Sequence, residues 1–239
     1  MLQFIVAWRR ILCISDLHFP YAHKDSVRFL RAIKRKYNPD KIVCLGDEID
    51  QHGLSYHESN PDLDSSGPEL RKAKKQLQPI FDLFPVVEVL SSNHGDMVYR
   101  KGLSAGIPRY CIKSYGEILE APKKWTWHMD LTLEMSNGRL VYFHHGKSAC
   151  IFKASQAMSM CMVQGHYHEK FDIRYWGNPT GLYWGMQVGC SIDDKSMAFA
   201  YNKTNLKRPI IGHGIILDGQ PHLLPMVLDK YGNWNRIVF

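Results

Sequence analysis

Apolar positions in the first half of the chain come in short runs that switch between two periods. "RRILCISD" (9–16) is almost continuously apolar until a polar turn, the pattern of a buried strand. In "KDSVRFLRAIKRKY" (24–37), Val27, Leu30, Ile33 and Tyr37 recur at helical spacing. The other face carries Arg28, Arg31 and Arg35 and reads as a solvated side. "KIVCL" (41–45) is a second buried strand, so the order strand, helix, strand predicts a parallel pair joined by a crossover. "PELRKAKKQLQPIFDLF" (68–84) predicts a helix bent or interrupted near Pro79, since proline lacks the N–H that a helix interior uses. "VVEVLSS" (86–92) is a third strand, and residues 96–122 read as irregular helix broken at Gly102, Gly106 and Pro108.

The texture then changes. "LTLEM", "SNGR" and "LVYFHH" (131–145) give a strand, an Asn-Gly turn and a strand, a strong hairpin signal. "SACIFKASQAMSM" (148–160) predicts a short helix, and from Met162 onward the pattern is short strands with turns such as Asp218-Gly219. The first half therefore predicts βαβ units and the second a mixed or antiparallel sheet. With no repeat, low-complexity segment or linker in view, residues 1–239 read as one domain built on two sheets.

Composition adds limits. At 239 residues the chain can bury a core without disulfides or structural metals. Its six cysteines form no C-x-x-C pair, and Cys13 and Cys44 fall inside apolar runs as small core residues. The start "MLQFIVAWRR" places its arginines after a short apolar run, unlike a signal peptide, and no run approaches the roughly 18 apolar residues of a membrane span. A reduced, cytoplasmic protein is expected. The formal charge of +7 favours anionic partners such as nucleic acid or nucleotides.

Chemistry gathers where apolar runs end. "ISDLH" offers Asp16 and His18, "LGDEID" offers Asp47 and Asp50, and "LSSNHG" offers Asn93 and His94. "YFHHG" offers His144 and His145, and "QGHYH" offers His166 and His168. Strand ends along one edge of an α/β sheet converge on a common crevice. Carboxylates crowded there repel unless a positive charge lies between them. Mixed imidazole and carboxylate donors without thiolate suit Mn²⁺, Fe, Zn²⁺, Co²⁺ or Ni²⁺. Seven or more ligands exceed what one ion takes, so two divalent ions are expected, sharing a carboxylate.

The order D-x-H, G-D-x-x-D, N-H, H and G-H-x-H, spanning residues 16 to 168, resembles the calcineurin-like metallophosphoesterases, in particular small stand-alone members including those of bacteriophages. The resemblance implies a four-layer αββα sandwich of two mixed sheets flanked by helices, with a dimetal site at the strand ends. It implies that Asp16, His18 and His168 hold one metal, that Asn93, His166 and the middle histidine hold the other, and that Asp47 bridges them. A ligand directly before Gly fits His145 and one a residue earlier fits His144; His145 is preferred and both are kept. His94 is implied to sit beside the substrate as a catalytic group that stabilises the transition state or protonates the leaving oxygen. Asp50 is implied as a supporting residue behind the ligands.

The chain departs from the family pattern at two points. Ser92 stands where Gly usually precedes Asn-His, and Gly95 stands where an acid usually orients the catalytic histidine. Asp96, one place later, is the candidate substitute. His52 and His57 lie in a polar loop and are candidates for lining a substrate pocket, while His23, His128, His213 and His222 match no motif and read as structural. Trp176, Tyr183 and Trp184 flank the last motif, either packing in the core or stacking on a base. The reading is a metal-dependent phosphodiesterase or nuclease using a metal-bridged hydroxide on nucleic acid or nucleotides. The alternatives are a phosphomonoesterase of nucleotides or phosphoproteins and an inactive metal-binding scaffold.

Overall fold

The computed structural model describes residues 7–55, 62–193, 195–196 and 207–239. The first sheet takes its parallel strands from βαβ repeats in the first half: β1 (Arg10–Ile14), β2 (Lys41–Cys44), β3 (Val87–Leu90) and β4 (Trp125–His128). Two late strands, β10 (Gly212–Leu217) and β11 (Gln220–Pro225), complete it on the β1 side, giving the order β11-β10-β1-β2-β3-β4. The second sheet has the order β5-β6-β7-β9-β8, from β5 (Leu131–Glu134), β6 (Leu140–His144), β7 (Cys161–Gln164), β8 (Phe171–Asn178) and β9 (Gly181–Val188). Its inner strands β6, β7 and β9 run parallel, and its two outer strands are antiparallel to their neighbours.

Side-chain alternation makes the layers. Ile11, Cys13, Val43, Leu45 and Leu90 point from the first sheet onto Val141, Phe143, Val163, Trp184 and Met186 of the second. The opposite faces of the first-sheet strands, through Leu12, Ile14, Cys44 and Val89, pack on Phe29, Leu30 and Ile33 of α1 (Ser26–Tyr37) and Leu77, Ile80 and Phe81 of α2 (Ser66–Leu83). Beyond the second sheet, Tyr142 and Met162 pack on Ile151 of α5 (Ile151–Met158). Helix, sheet, sheet, helix is the four-layer sandwich expected.

The departures are local. The second helix runs through Pro79 to Leu83 without interruption. Leu77, Ile80 and Phe81 are all buried there, and that apolar contact outweighs the roughly 3 kcal/mol that an interior proline costs. The irregular stretch resolves into α3 (Met97–Ser104), a 3-10 turn at Arg109–Cys111 and α4 (Tyr115–Leu119). Arg28, Arg31 and Arg35 occupy the exposed side of α1. Trp184 belongs to the core between the sheets, while Trp176 and Tyr183 stack on each other with ring centroids 4.5 Å apart. Among the described residues, no helix is long and apolar enough to cross a membrane.

Candidate metal centre

Five parallel strands, β1, β2 and β3 of one sheet and β6 and β7 of the other, end at the same edge of the sandwich. The chain bends sharply there: Asp16, His18, Asp47 and His166 all have positive φ, between 48° and 69°. Left-handed backbone at four non-glycine residues of one site is strain that the surroundings must hold. Gly46 allows the loops to meet. At φ 103° it is already left-handed, and a Cβ there would lie 2.6 Å from the Ser92 Cβ and 3.0 Å from His145 Nδ1.

The side chains form three groups of converging donors: Asp16, His18, Asp47 and His168; Asp47, His145 and His166; and His18, Asp50 and His94. Asp47 belongs to the first two. Its Oδ2 lies 3.6 Å from His18 Nε2, 3.2 Å from His145 Nε2 and 3.9 Å from His94 Nε2. In the first group His168 Nε2 is 3.1 Å from Asp16 Oδ1 and 3.2 Å from His18 Nε2. In the second, His145 Nε2 is 2.8 Å from Asn93 Oδ1 and 3.2 Å from His166 Nδ1.

Hydrogen bonds behind the cluster fix which nitrogens face inward. His18 Nδ1–H donates to Asp50 Oδ1 at 2.7 Å and His145 Nδ1–H donates to the Leu45 carbonyl at 2.7 Å. Each neutral imidazole then turns an Nε2 lone pair on oxygens and on another imidazole nitrogen. Such an array of lone pairs repels itself unless a cation lies among them, so the donor set fits a divalent metal in each of the two groups that share Asp47. Burial opposes a charged imidazole, but Asp16 and Asp50 hold His18 up to about 10, and Asp47 holds His145 up to about 9. The same contacts outweigh burial on the acids and keep the Asp16 and Asp47 carboxyls well below the usual range.

Each sequence candidate now has a place. His145 is in the cluster. His144 is not: it stacks on Tyr142, and its Nδ1 accepts from the Gly146 N–H at 3.1 Å. Adjacent positions at a strand end face opposite ways, so only one of the two can reach the crevice. Asp50 stands behind His18. His52 opens a 3-10 turn, its backbone N–H held by Glu69 Oε1 at 2.8 Å, and it is not among the converging groups. His57 lies outside the described residues.

Asp96 does not replace the missing acid. It is exposed at the start of α3, and His94 Nδ1–H instead donates to the backbone carbonyl of Asp50. The space of the missing acid is taken, since a Cβ on Gly95 would lie 3.1 Å from the Tyr115 ring. Ser92, the other departure, joins two loops by accepting from the backbone N–H of Asp47 at 3.0 Å and of Gly95 at 3.2 Å. Sequence reasoning missed a further residue. Gln51, buried and left-handed at φ 54°, follows the Asp50 carbonyl and donates from its side chain to the His94 carbonyl. Nothing in an isolated glutamine signals such a role.

Asp16, His18 and Asp47 are sealed from solvent, whereas the side chains of His94 and His168 remain 19% and 25% exposed. The cluster is therefore open between those two histidines.

Over most of its length the chain is similar to solved structures of Vps29 from Chaetomium thermophilum (9% identity, 96% of this chain and 95% of that one, TM-score 0.50) and of Vacuolar Protein Sorting 29 from Cryptosporidium parvum (15%, 98% and 98%, 0.48). It is also similar to Yfce, a phosphoesterase from E. coli (10%, 95% and 96%, 0.47). No curated protein matches the chain. The family described as calcineurin-like phosphoesterase matches residues 9–170, which include every residue of the cluster. That match spans more than half of the sequence, and the chain belongs to the calcineurin-like phosphoesterases.

Proposed function

We propose that the protein is a metal-dependent phosphodiesterase acting on nucleic acid or nucleotide diesters. The observation that carries the reading is Asp47, one buried carboxylate shared by two groups of converging donors at the strand ends. Asp16, His18, Asp47 and His168 would hold one divalent ion, and Asp47, Asn93, His145 and His166 the other, with Mn²⁺ the preferred metal. When bound, such a pair supplies Lewis-acid stabilisation and a nucleophile at neutral pH.

The chain's own groups do the rest. Buried Asp16, His18 and Asp47 form the closed floor of the site, and the phosphoester would enter at the open side between His94 and His168. As an imidazolium, with Nδ1–H held by the Asp50 carbonyl, His94 would present Nε2–H at the open side, give that proton to the leaving oxygen and be left as the neutral Nδ1–H imidazole. The formal charge of +7 supports a polyanionic substrate.

The test is protein stripped of metal, reloaded with Mn²⁺ and offered an aryl monoester, a bis-aryl diester, DNA, RNA and cyclic nucleotides. Faster diester turnover supports the reading. Dominant monoesterase activity with no cleavage of any nucleic acid or cyclic nucleotide replaces it with a phosphatase. Two bound ions and no turnover of any ester leave a scaffold.

A further inference from the structure

We propose that Gln51 is a positioning residue for His94, and that Glu69 of α2 keeps Gln51 in place through the turn that lies between them. The proposal rests on the reading above, in which His94 gives a proton to the leaving oxygen.

One dipeptide grips His94 at two points. The ring Nδ1–H donates to the Asp50 carbonyl, and the His94 backbone carbonyl accepts from the Gln51 side-chain amide. One hydrogen bond leaves a ring free to swing about it, whereas bonds at the ring and at the backbone fix the ring and its loop together. Gln51 is buried, and its backbone is left-handed at φ 54°. A glutamine keeps that conformation only where its surroundings hold it. On the far side of the loop, a Cβ on Gly95 would lie 3.1 Å from the Tyr115 ring, so the loop has no room to draw back from Gln51.

The hold on Gln51 comes from α2. Glu69, in the first turn of that helix, is buried. Its Oε1 accepts from the His52 backbone N–H at 2.8 Å and its Oε2 from the Gly53 backbone N–H at 2.9 Å. The next N–H, of Leu54, donates to the Gln51 carbonyl at 2.9 Å and closes the 3-10 turn His52–Leu54. Bonds to a carboxylate are stronger than neutral ones, so the turn is pinned by its two leading donors. Packing adds to this: a Cβ on Gly53 would lie 2.6 Å from the Ser66 backbone nitrogen, at the start of α2. Glu69 is not among the converging donors of the metal centre, and the mechanism gives this buried acid no other task. Its route to the chemistry runs through the turn to Gln51 and from Gln51 to His94.

The test uses Gln51→Met and Glu69→Met, which keep a long side chain and remove its hydrogen-bonding group. Metal content should match wild type, since neither residue is among the converging donors. In the Mn²⁺-loaded protein each variant should lower kcat about tenfold, the order of one lost hydrogen bond, with a loss that grows as the leaving group becomes poorer. Each change is then placed in a His94→Ala background. It should cost nothing further there, because a positioning residue acts only through the group it positions. An equal loss with His94 absent makes the residue a support of the fold and overturns its positioning role. Full turnover in either variant removes that residue from the arrangement. A second measurement needs no turnover: in metal-free protein the His94 Nδ1 proton, followed by NMR, should exchange with solvent about tenfold faster in each variant. Unchanged exchange overturns the proposal. Wild-type protein that hydrolyses no ester overturns the function instead, and the proton exchange then decides the positioning of His94 by itself.

Discussion

His18 and His213 are equally buried, and their protons behave in opposite ways. His213, on β10 of the first sheet, stacks over Phe29 at 6.0 Å, and its polar contact among the described residues is the Ser191 hydroxyl, 3.3 Å from its Nε2. Burial dominates and pushes its pKa down to about 3, against a weaker opposing pull from the Asp16 carboxylate. His18 suffers the same burial, but Asp16, Asp47 and Asp50 surround it, and its pKa rises to about 10. Burial expels charge, and carboxylates packed into the same space invite it back. The second arrangement is costly for an empty fold, because several buried charges must offset one another. It becomes favourable when a divalent cation takes the middle, which separates a core histidine from a ligand histidine.

Removing the shared carboxylate should break the contrast most severely. Asp47→Asn keeps the side-chain shape but takes the anion from both groups. Metal content should fall below the wild-type value, ideally two ions per chain, and turnover should drop on the order of 10⁴-fold or more, beyond the roughly 10²–10³-fold loss of a single oxyanion-hole donor. Elemental analysis beside a diester assay measures both, and a variant with full metal and full turnover would remove Asp47 from the centre. In the same assay His145→Ala should lose metal and His144→Ala should keep it.

A smaller effect is expected at His94, which faces the cluster but draws its hydrogen bond from the Asp50 backbone. His94→Ala should leave metal content intact and slow turnover by about 10²–10³-fold, within the range for a lost general acid. The loss should grow as the leaving group becomes poorer. Metal loss in this variant makes His94 a ligand; equal losses for good and poor leaving groups rule out proton donation.

Smaller again is the contribution of Asp50. Asp50→Ala deletes the carboxylate behind His18 but keeps the backbone carbonyl that holds His94. Metal affinity should weaken by about 10–100-fold, the usual cost of losing such an orienting partner. Titration against a competing chelator reads this directly, and unchanged affinity would show that His18 is oriented without Asp50.

What the sequence made legible follows from where the information is stored. Asp16, His18, Asp47, Asn93, His166 and His168 each sit within a few residues of a strand end, and strand ends are visible as breaks in apolar runs. The strand Trp125–His128 passed unread because "WTWH" holds no aliphatic residue, unlike the equally short "KIVC" and "VEVL". The hydrogen bond from His94 to the Asp50 carbonyl leaves no trace in side-chain identity, so Asp96 seemed the natural substitute. Ile210 ties the loop of His168 to Cys190 through backbone bonds, contacts far apart in the chain that no local pattern encodes. His213 carries no sign of its burial beyond the apolar run "GHGIIL" around it.

The smallest effect tests the other half of the comparison, the histidine with no carboxylate beside it. In the unfolded chain His213 should titrate near 6.5, whereas in the fold it stays neutral down to about 3. Above pH 6.5 neither state holds the proton and the residue adds no pH dependence. As pH falls below 6.5 the unfolded chain binds a proton that the folded chain refuses, so stability is lost by up to about 1.4 kcal/mol per pH unit until pH nears 3. At pH 5 that amounts to about 2 kcal/mol. His213→Leu and His213→Asn remove the titration, one with an apolar side chain and one with a polar side chain. Each lowers stability at pH 7 by its own packing cost, but that cost does not depend on pH. Urea unfolding at pH 7 and pH 5 should therefore give a wild-type loss about 2 kcal/mol larger than that of either variant. If all three proteins lose the same amount, His213 is protonated inside the fold, and burial without a carboxylate partner is not what distinguishes it from His18.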